Sequence, residues 1–173
     1  MGKEKHSRRI TPLHSLWLLL IPFLFTGCGF HLKGYRQASP ALNGLFIMGS
    51  DERESLAGVL REILRSGGVA LVSDAASARY RLQITEERFH SRVLSVDANG
   101  KALDNEMRLE AAFRLYQAQA GETPPAQRLE LVRQLSYSGD DELGQRNEAA
   151  LMVQDMRNDM AGQIIRRLEA WLK

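Results

Sequence analysis

An uncharged run that ends close to the single cysteine is the feature that most limits what this chain can fold into. The run extends from Ser15 to Phe25 and reads SLWLLLIPFLF, and the residues before it are basic: Lys3, Lys5, Arg8 and Arg9. At about 1.5 Å per helical residue, the run is too short to cross a hydrocarbon core of roughly 30 Å. A buried core helix would rarely carry such cations and Pro22. We therefore predict that residues 1–27 are a secretory signal peptide that is removed on export.

Cys28 follows this segment directly, in the sequence Thr26-Gly27-Cys28-Gly29. A single cysteine cannot form an internal disulfide, and one thiol without neighbouring histidines or cysteines makes a poor metal site. The small residues before it resemble the lipobox of bacterial lipoproteins, although Phe25 stands where leucine is commonest. The resemblance implies that Cys28 carries an S-diacylglycerol and an N-acyl chain such as palmitate. Gly29 replaces the aspartate that is associated with inner-membrane retention, which implies the outer membrane.

Removal of the signal peptide changes the charge balance of the chain. Lys and Arg number 23 against 21 Asp and Glu in the whole chain, and 19 against 20 after residues 1–27 are removed. The mature chain is therefore nearly neutral, and its composition gives no argument for nucleic acid as a partner. An anionic partner would have to be bound by a local patch of cations.

The 146 remaining residues suit one domain. We predict a lipidated N-terminus and tether over 28–43 and a single domain over 44–173. A short strand is expected at 45–50, and Asp51 with Glu54 has the spacing of a helix N-cap and its acid. Apolar residues then recur at helical spacing until Gly67-Gly68 stops the helix: Leu56, Val59, Leu60, Ile63 and Leu64. A second short strand is expected at 69–72.

Alternating apolar residues predict the remaining strands. A long strand over 79–97 begins with Tyr80, Leu82 and Ile84, but polar residues occupy the same parity further on: Glu86, Arg88, His90 and Arg92. We interpret them as a bulge or an exposed stretch, which leaves open whether this is one strand or two. Asn99-Gly100 predicts a hairpin turn. Two more strands follow, with the apolar residues Met107, Leu109, Phe113 and Leu115, then Leu129, Leu131, Leu135 and Tyr137.

A final helix places its apolar residues on one side: Val153, Met156, Met160, Ile164, Leu168 and Trp171. The order strand, helix, several strands, helix predicts an α+β fold. Its simplest form is a two-layer sandwich, in which two helices pack on one face of a mostly antiparallel sheet of four or five strands.

Residue patterns of enzymes are missing from the sequence. It contains no G-x-S-x-G, H-E-x-x-H, Walker or G-x-G-x-x-G motif. His31 and His90 have no metal-type partner at a suitable spacing, and the acidic stretch Asp140, Asp141 and Glu142 is interpreted as a solvated loop. We predict a protein that is not an enzyme and has no metal or cofactor.

The sequence CGFHLKG, residues 28–34, resembles the mature N-terminus of the lipopolysaccharide-assembly lipoprotein family LptE, also called RlpB. The resemblance extends to the early strand and helix, the Asn99-Gly100 hairpin and the sequence RNEAALMVQDM before the final helix. It implies an outer-membrane lipoprotein on the periplasmic side of Gram-negative bacteria, with LptD and lipopolysaccharide as partners. Such a protein plugs the LptD β-barrel, assists its assembly and helps to deliver lipopolysaccharide to the outer leaflet.

The family also carries two basic positions associated with lipopolysaccharide. Ala98 and Gln145 occupy these positions here, and the neighbouring cations Lys101 and Arg146 become the candidate ligand-binding residues. A phosphate-bearing glycolipid calls for such cations.

Two alternatives remain at the level of sequence. The first is an unrelated outer-membrane lipoprotein that acts as a periplasmic scaffold or assembly factor. The second is a lipid-anchored hydrolase, which would need His90 to join carboxylates in a pocket.

Overall fold

The computed structural model describes residues 39–118, 123–137 and 142–172, and this part of the chain forms two helices and four strands. The helices are α1 (Leu56–Ser66) and α2 (Glu142–Trp171). A single 3-10 turn, Pro40–Leu42, precedes the first strand. The strands are β1 (Leu45–Met48), β2 (Tyr80–Val96), β3 (Ala102–Gln117) and β4 (Gln127–Ser136). The predicted α+β fold is confirmed.

The four strands form one sheet in the order β1-β2-β3-β4. β1 is parallel to β2, and the other two pairings are antiparallel. Both helices pack on the same side of the sheet, which we call the helix face, and we call the other side the open face. The buried core between the layers includes Leu45, Leu60, Leu82, Leu109, Phe113, Met156, Met160 and Ile164. The two predicted helix stripes therefore meet over one sheet face, although Trp171 is 47% exposed.

Helix α1 begins later than the sequence predicts. Its N-cap is Ser55, whose hydroxyl oxygen accepts a hydrogen bond from the Gly58 N–H at 3.1 Å. The expected cap, Asp51, is exposed and instead forms an ion pair with Arg61. The helix ends at Gly67-Gly68 as predicted, and Gly68 adopts a φ of 83°, which a residue without a Cβ adopts at little cost.

Residues 69–72 do not form the expected second strand. The segment runs beside β1 and makes two backbone hydrogen bonds there. Val72 N–H donates to the carbonyl of Leu45 in β1, and the N–H of Gly44, which precedes β1, donates to the carbonyl of Ala70. The Ala70 N–H is bound by the side chain of Asn43 at 2.9 Å. Because a side chain replaces a backbone partner there, a regular ladder does not develop.

β2 is one continuous strand of 17 residues with an irregularity near its start. The register shifts between Ile84 and Glu86, after which Glu86 pairs with Ala112 and Glu87 pairs with Ala111. The shift exchanges the faces of the following side chains as far as Val93, where the register shifts again. Glu87 therefore lies on the helix face, where unbroken alternation from Leu82 and Ile84 would have placed Glu86.

Candidate functional site

The hairpin between β2 and β3 ends in a tight turn that carries the first candidate cation. The Asp97 carboxylate accepts hydrogen bonds from the N–H groups of Lys101 at 2.9 Å and Asn99 at 2.8 Å. These bonds, led by that from Lys101, hold the pKa of the Asp97 carboxyl below its usual range. Gly100 has a φ of 82°, which explains the predicted Asn-Gly turn. The hydrogen bond from the Lys101 N–H to the Asp97 carboxylate thus fixes the backbone of Lys101 at the turn.

The second candidate, Arg146, lies near the start of α2 and is exposed. β4 ends at Ser136 opposite Asp104, close to the hairpin end of β3, and α2 begins after the short segment that follows. Topology therefore places Lys101 and Arg146 at the same end of the domain, which we call the hairpin end. Cys28, the third candidate residue, lies outside the described residues.

A carboxylate ties three strands together near the hairpin end. Asp104 of β3 accepts a hydrogen bond from the hydroxyl of Ser136 on β4 at 2.6 Å, and another from Ser95 on β2. These bonds, with that from Ser136 the stronger influence, lower the pKa of the Asp104 carboxyl. The arrangement holds the three strands in register near the hairpin end.

A network of arginines and glutamates covers the middle of the open face. The Glu106 carboxylate forms ion pairs with Arg108 at 3.2 Å and with Arg92 at 3.3 Å. Arg108 also forms an ion pair with Glu130. The Arg108 guanidinium is the main cause of a lowered pKa at the Glu106 carboxyl, and the pKa of Arg108 is correspondingly raised. His90 lies beside this network over a shallow depression of about 240 Å³.

Sequence reasoning placed Lys101 correctly at a hairpin turn but missed the network on the open face. The sequence feature that could have indicated this network is the occurrence of Arg88, His90 and Arg92 at alternate positions of one strand. His90 has one carboxylate, Glu106, among the residues that line its depression, together with two arginines. One carboxylate and two arginines around His90 give no support to the hydrolase alternative.

Two further properties bear on the class of protein. Among the described residues, no group of His, Cys, Asp and Glu side chains could hold a metal ion. The helices described here include none that is long and apolar enough to cross a membrane. The fold and its surface define a small α+β domain with a charged open face.

Comparison with known proteins identifies the family. Residues 42–168 match the family model of LptE, described as lipopolysaccharide-assembly. The chain therefore belongs to the LptE family and is a lipopolysaccharide-assembly lipoprotein rather than an enzyme. Members of this Gram-negative family are outer-membrane lipoproteins, and the family needs no cofactor.

A relative and two solved structures illustrate the similarity. The LPS-assembly lipoprotein LptE of Photorhabdus laumondii is 27% identical over 154 residues, which are 89% of this chain and 84% of that protein. The rare lipoprotein B from Shewanella oneidensis has a TM-score of 0.63 at 23% identity, covering 74% of this chain and 95% of that one. An uncharacterized lipoprotein B from Nitrosomonas europaea has a TM-score of 0.64 at 24% identity, with coverages of 83% and 92%. At these identities the two structures support the fold alone.

Proposed function

We propose that this protein binds lipopolysaccharide and partners the LptD β-barrel of the outer membrane, plugging its lumen and assisting its assembly. The observation that carries the proposal is the family match over residues 42–168, which spans all four strands described, α1, and α2 except for its last three residues. A lipid on Cys28 would anchor the domain to the outer membrane from the periplasmic side. The pair would then deliver lipopolysaccharide to the outer leaflet.

The shape of the hairpin end supports a partner that surrounds it. Four large apolar side chains near the turn are between 41% and 54% exposed: Val93, Leu94, Val96 and Leu103. Contiguous exposed apolar groups on a small domain commonly mark an interaction surface. The lumen of a barrel could cover all sides of such a hairpin at once. The cations Lys101 and Arg146 at the same end would serve the phosphate groups of the glycolipid.

Affinity purification of the full-length, lipidated protein from outer membranes tests the barrel partnership. We expect one large β-barrel protein in stoichiometric amount. The control is a lipoprotein with the same residues 1–38 fused to an unrelated domain, which should recover no barrel. Recovery of periplasmic proteins without a barrel would contradict the proposal and favour the scaffold alternative.

A further inference from the structure

The chain enters the described domain at the end where α2 finishes. The N–H of Ser39, the first described residue, donates a hydrogen bond to Glu169 Oε1 in the last turn of α2 at 2.9 Å. Three strand ends lie together at this end of the sheet, because Tyr80, which begins β2, pairs with Leu45 of β1 and with Gln117 of β3. We call this the tether end, and it lies opposite the hairpin end.

A short segment joins the predicted lipid anchor to the tether end. Cys28 precedes Ser39 by eleven positions, so even a fully extended chain spans no more than about 40 Å between them. The 17 residues of β2 extend over about 55 Å. A membrane bound through Cys28 is therefore held within reach of the tether end at high effective concentration, whereas the hairpin turn lies beyond the length of the segment.

The tether end carries arginines that have no carboxylate partner in the part of the chain that the structure describes: Arg79, Arg81 and Arg167. Arg79 and Arg167 are exposed, and Arg81 is partly exposed. Six arginines nearer the hairpin end each form an ion pair with a carboxylate: Arg61, Arg88, Arg92, Arg108, Arg133 and Arg157. The positive charge of the tether end is thus not neutralised by neighbouring side chains.

Two of these guanidinium groups lie over tyrosine rings. Arg79 Cζ is 5.5 Å from the centroid of the Tyr80 ring, and Arg81 Cζ is 5.8 Å from that of Tyr116. Stacking uses the face of the guanidinium and leaves the N–H donors, which lie in its plane, for another acceptor. A phosphate oxygen pair fits this planar fork of donors.

Trp171 adds an exposed aromatic ring to the same end. It lies in the last turn of α2, is 47% exposed, and follows Arg167 by four residues, so the two lie on one side of the helix. Arg167 also donates a hydrogen bond to Gln127 at the start of β4 at 3.2 Å. Tryptophan and tyrosine beside cations are typical of protein groups that lie at the headgroup level of a membrane.

Charge and covalent connection favour a membrane over a second copy of the chain. Two tether ends placed against each other would bring their arginines together, and like charges in contact are unfavourable. Glu169 offers little compensation, because its carboxylate already accepts the hydrogen bond from Ser39. An anionic bilayer has the opposite charge, and the segment from Cys28 to Ser39 holds it close.

We propose that, in the anchored protein before it meets a barrel, the tether end rests on the membrane surface. Arg79, Arg81 and Arg167 would bind the phosphates of anionic phospholipids, and Trp171 would lie among the headgroups. The hairpin end, on the other side of the domain, would stay free for its partner. The proposal rests on anchoring through Cys28, which is part of the proposed function, but not on the barrel or on lipopolysaccharide.

Trp171 is a built-in probe of this contact, because loss of residues 1–27 removes Trp17, the other tryptophan of the chain. Mature lipidated protein extracted from membranes is added to vesicles of phosphatidylcholine, alone or mixed equally with phosphatidylglycerol. Flotation measures anchoring. Quenching of Trp171 fluorescence by acrylamide in the water, or by brominated lipid in the bilayer, measures whether the tether end lies on the surface.

We expect the protein to float with both kinds of vesicle. With phosphatidylglycerol present, Trp171 should be shielded from acrylamide and quenched by brominated lipid more strongly than with phosphatidylcholine alone. Raising NaCl to about 1 M shortens the Debye length to about 3 Å and should reverse this difference while the protein still floats. The salt step separates the charge contact from the lipid anchor.

Matched variants locate the contact. Arg79→Gln with Arg167→Gln should lower the ratio of membrane-bound to free tether ends by about fivefold for each arginine removed, the fold-change that corresponds to about 1 kcal/mol. Arg53→Gln with Arg88→Gln removes the same charge from exposed positions away from the tether end and should leave quenching as in the wild type. Circular dichroism verifies that both double variants fold.

Three results with floated protein or in solution would overturn the proposal. The first is equal quenching of Trp171 with and without phosphatidylglycerol, and the second is unchanged quenching in the variant that lacks Arg79 and Arg167. The third is a dimer in which Trp171 is shielded without vesicles, which would assign the tether end to a second copy. A chain that does not float would refute anchoring through Cys28 and this proposal with it, whereas loss of barrel recovery would contradict the proposed function alone.

Discussion

Glu87 of β2 joins both helices to the sheet through its two carboxylate oxygens. Oε1 accepts a hydrogen bond from Arg157 Nε of α2 at 2.8 Å, and Oε2 accepts one from the Leu56 N–H, the first residue of α1, at 2.9 Å. The side chains of Glu87 and Arg157 are only 21% and 22% exposed. The carboxylate thus lies where a negative charge stabilises the start of a helix and also neutralises a largely buried guanidinium.

Removal of this carboxylate should destabilise the domain. Glu87→Ala leaves Arg157 and the Leu56 N–H without their acceptor, and we expect the free energy of unfolding to fall by about 1–3 kcal/mol. Glu86→Ala is the matched control, because Glu86 pairs with Arg88, whose side chain is 62% exposed. Glu86→Ala should lower the free energy of unfolding by less than about 1 kcal/mol. Urea denaturation measures the free energy of unfolding of both variants. Equal decreases for Glu87→Ala and Glu86→Ala would contradict a central role for Glu87.

Truncation of core residues should separate the buried helix stripes from exposed leucines. Leu60 of α1 and Ile164 of α2 are fully buried, whereas Leu143 and Leu151 of α2 are 69% and 68% exposed. Leu60→Ala and Ile164→Ala should each lower the free energy of unfolding by about 2–5 kcal/mol. Leu143→Ala and Leu151→Ala should change it by less than about 0.5 kcal/mol. Unchanged denaturation midpoints for both core variants would refute the two-layer packing.

Acid should weaken the link between strands at Asp104. Its pKa is lowered in the folded state, first by the hydroxyl of Ser136. The ionised carboxylate therefore contributes stability that is present above its ordinary pKa of 3.8 and is lost as the pH falls through the lower folded value. We expect the denaturation midpoint of Asp104→Asn to depend less on pH than that of the wild type between about pH 5 and about pH 2.

An NMR titration checks the cause of this shift directly. Ser136→Ala should raise the pKa of the Asp104 carboxyl, because the strongest hydrogen bond to its ionised form is lost. Ser91→Ala provides the control, since Ser91 is exposed on the same sheet and pairs with Met107 rather than with Asp104. An unchanged pKa in Ser136→Ala would show that the hydroxyl is not responsible.

Lys101 and Arg146 should matter for lipopolysaccharide and not for the barrel. A charge-assisted hydrogen bond to phosphate contributes about 1.5–3 kcal/mol, so Lys101→Ala with Arg146→Ala should weaken binding of purified lipopolysaccharide at least severalfold. Barrel recovery should persist, because a broad interface involves many residues. The control pair, Arg65→Ala with Arg166→Ala, removes two exposed cations outside the hairpin end. Equal lipopolysaccharide affinity for both double variants would exclude Lys101 and Arg146 from the site.

Lipidation of Cys28 should be visible in the intact mass of protein extracted from membranes. We expect loss of residues 1–27 together with the mass of three acyl chains and a glyceryl group. Cys28→Ala should retain the unmodified leader or be released from the membrane fraction, since acyl chains provide the anchor. A wild-type chain that begins at Met1 without added mass would refute the prediction.

The sequence by itself determined the elements whose interactions are local. The stripe of α1, its end at Gly67-Gly68 and the Asn99-Gly100 hairpin depend on residues a few positions apart. The hydrogen bonds of a helix or a tight turn join near neighbours, so periodicity and glycine position predict them. Lys101 could be placed at a turn for the same reason.

The tertiary structure decided everything that depends on distant partners. Ser55 rather than Asp51 caps α1. At the same helix start, the Leu56 N–H donates a hydrogen bond to the carboxylate of Glu87, which belongs to β2. The bulge after Ile84 moves Glu87 to the helix face and Arg88, His90 and Arg92 to the open face, because the register of β2 is set against β3. The face that a strand residue occupies changes with a slip of one position. That slip is fixed by packing between segments far apart in the chain, and alternation in one segment cannot reveal it.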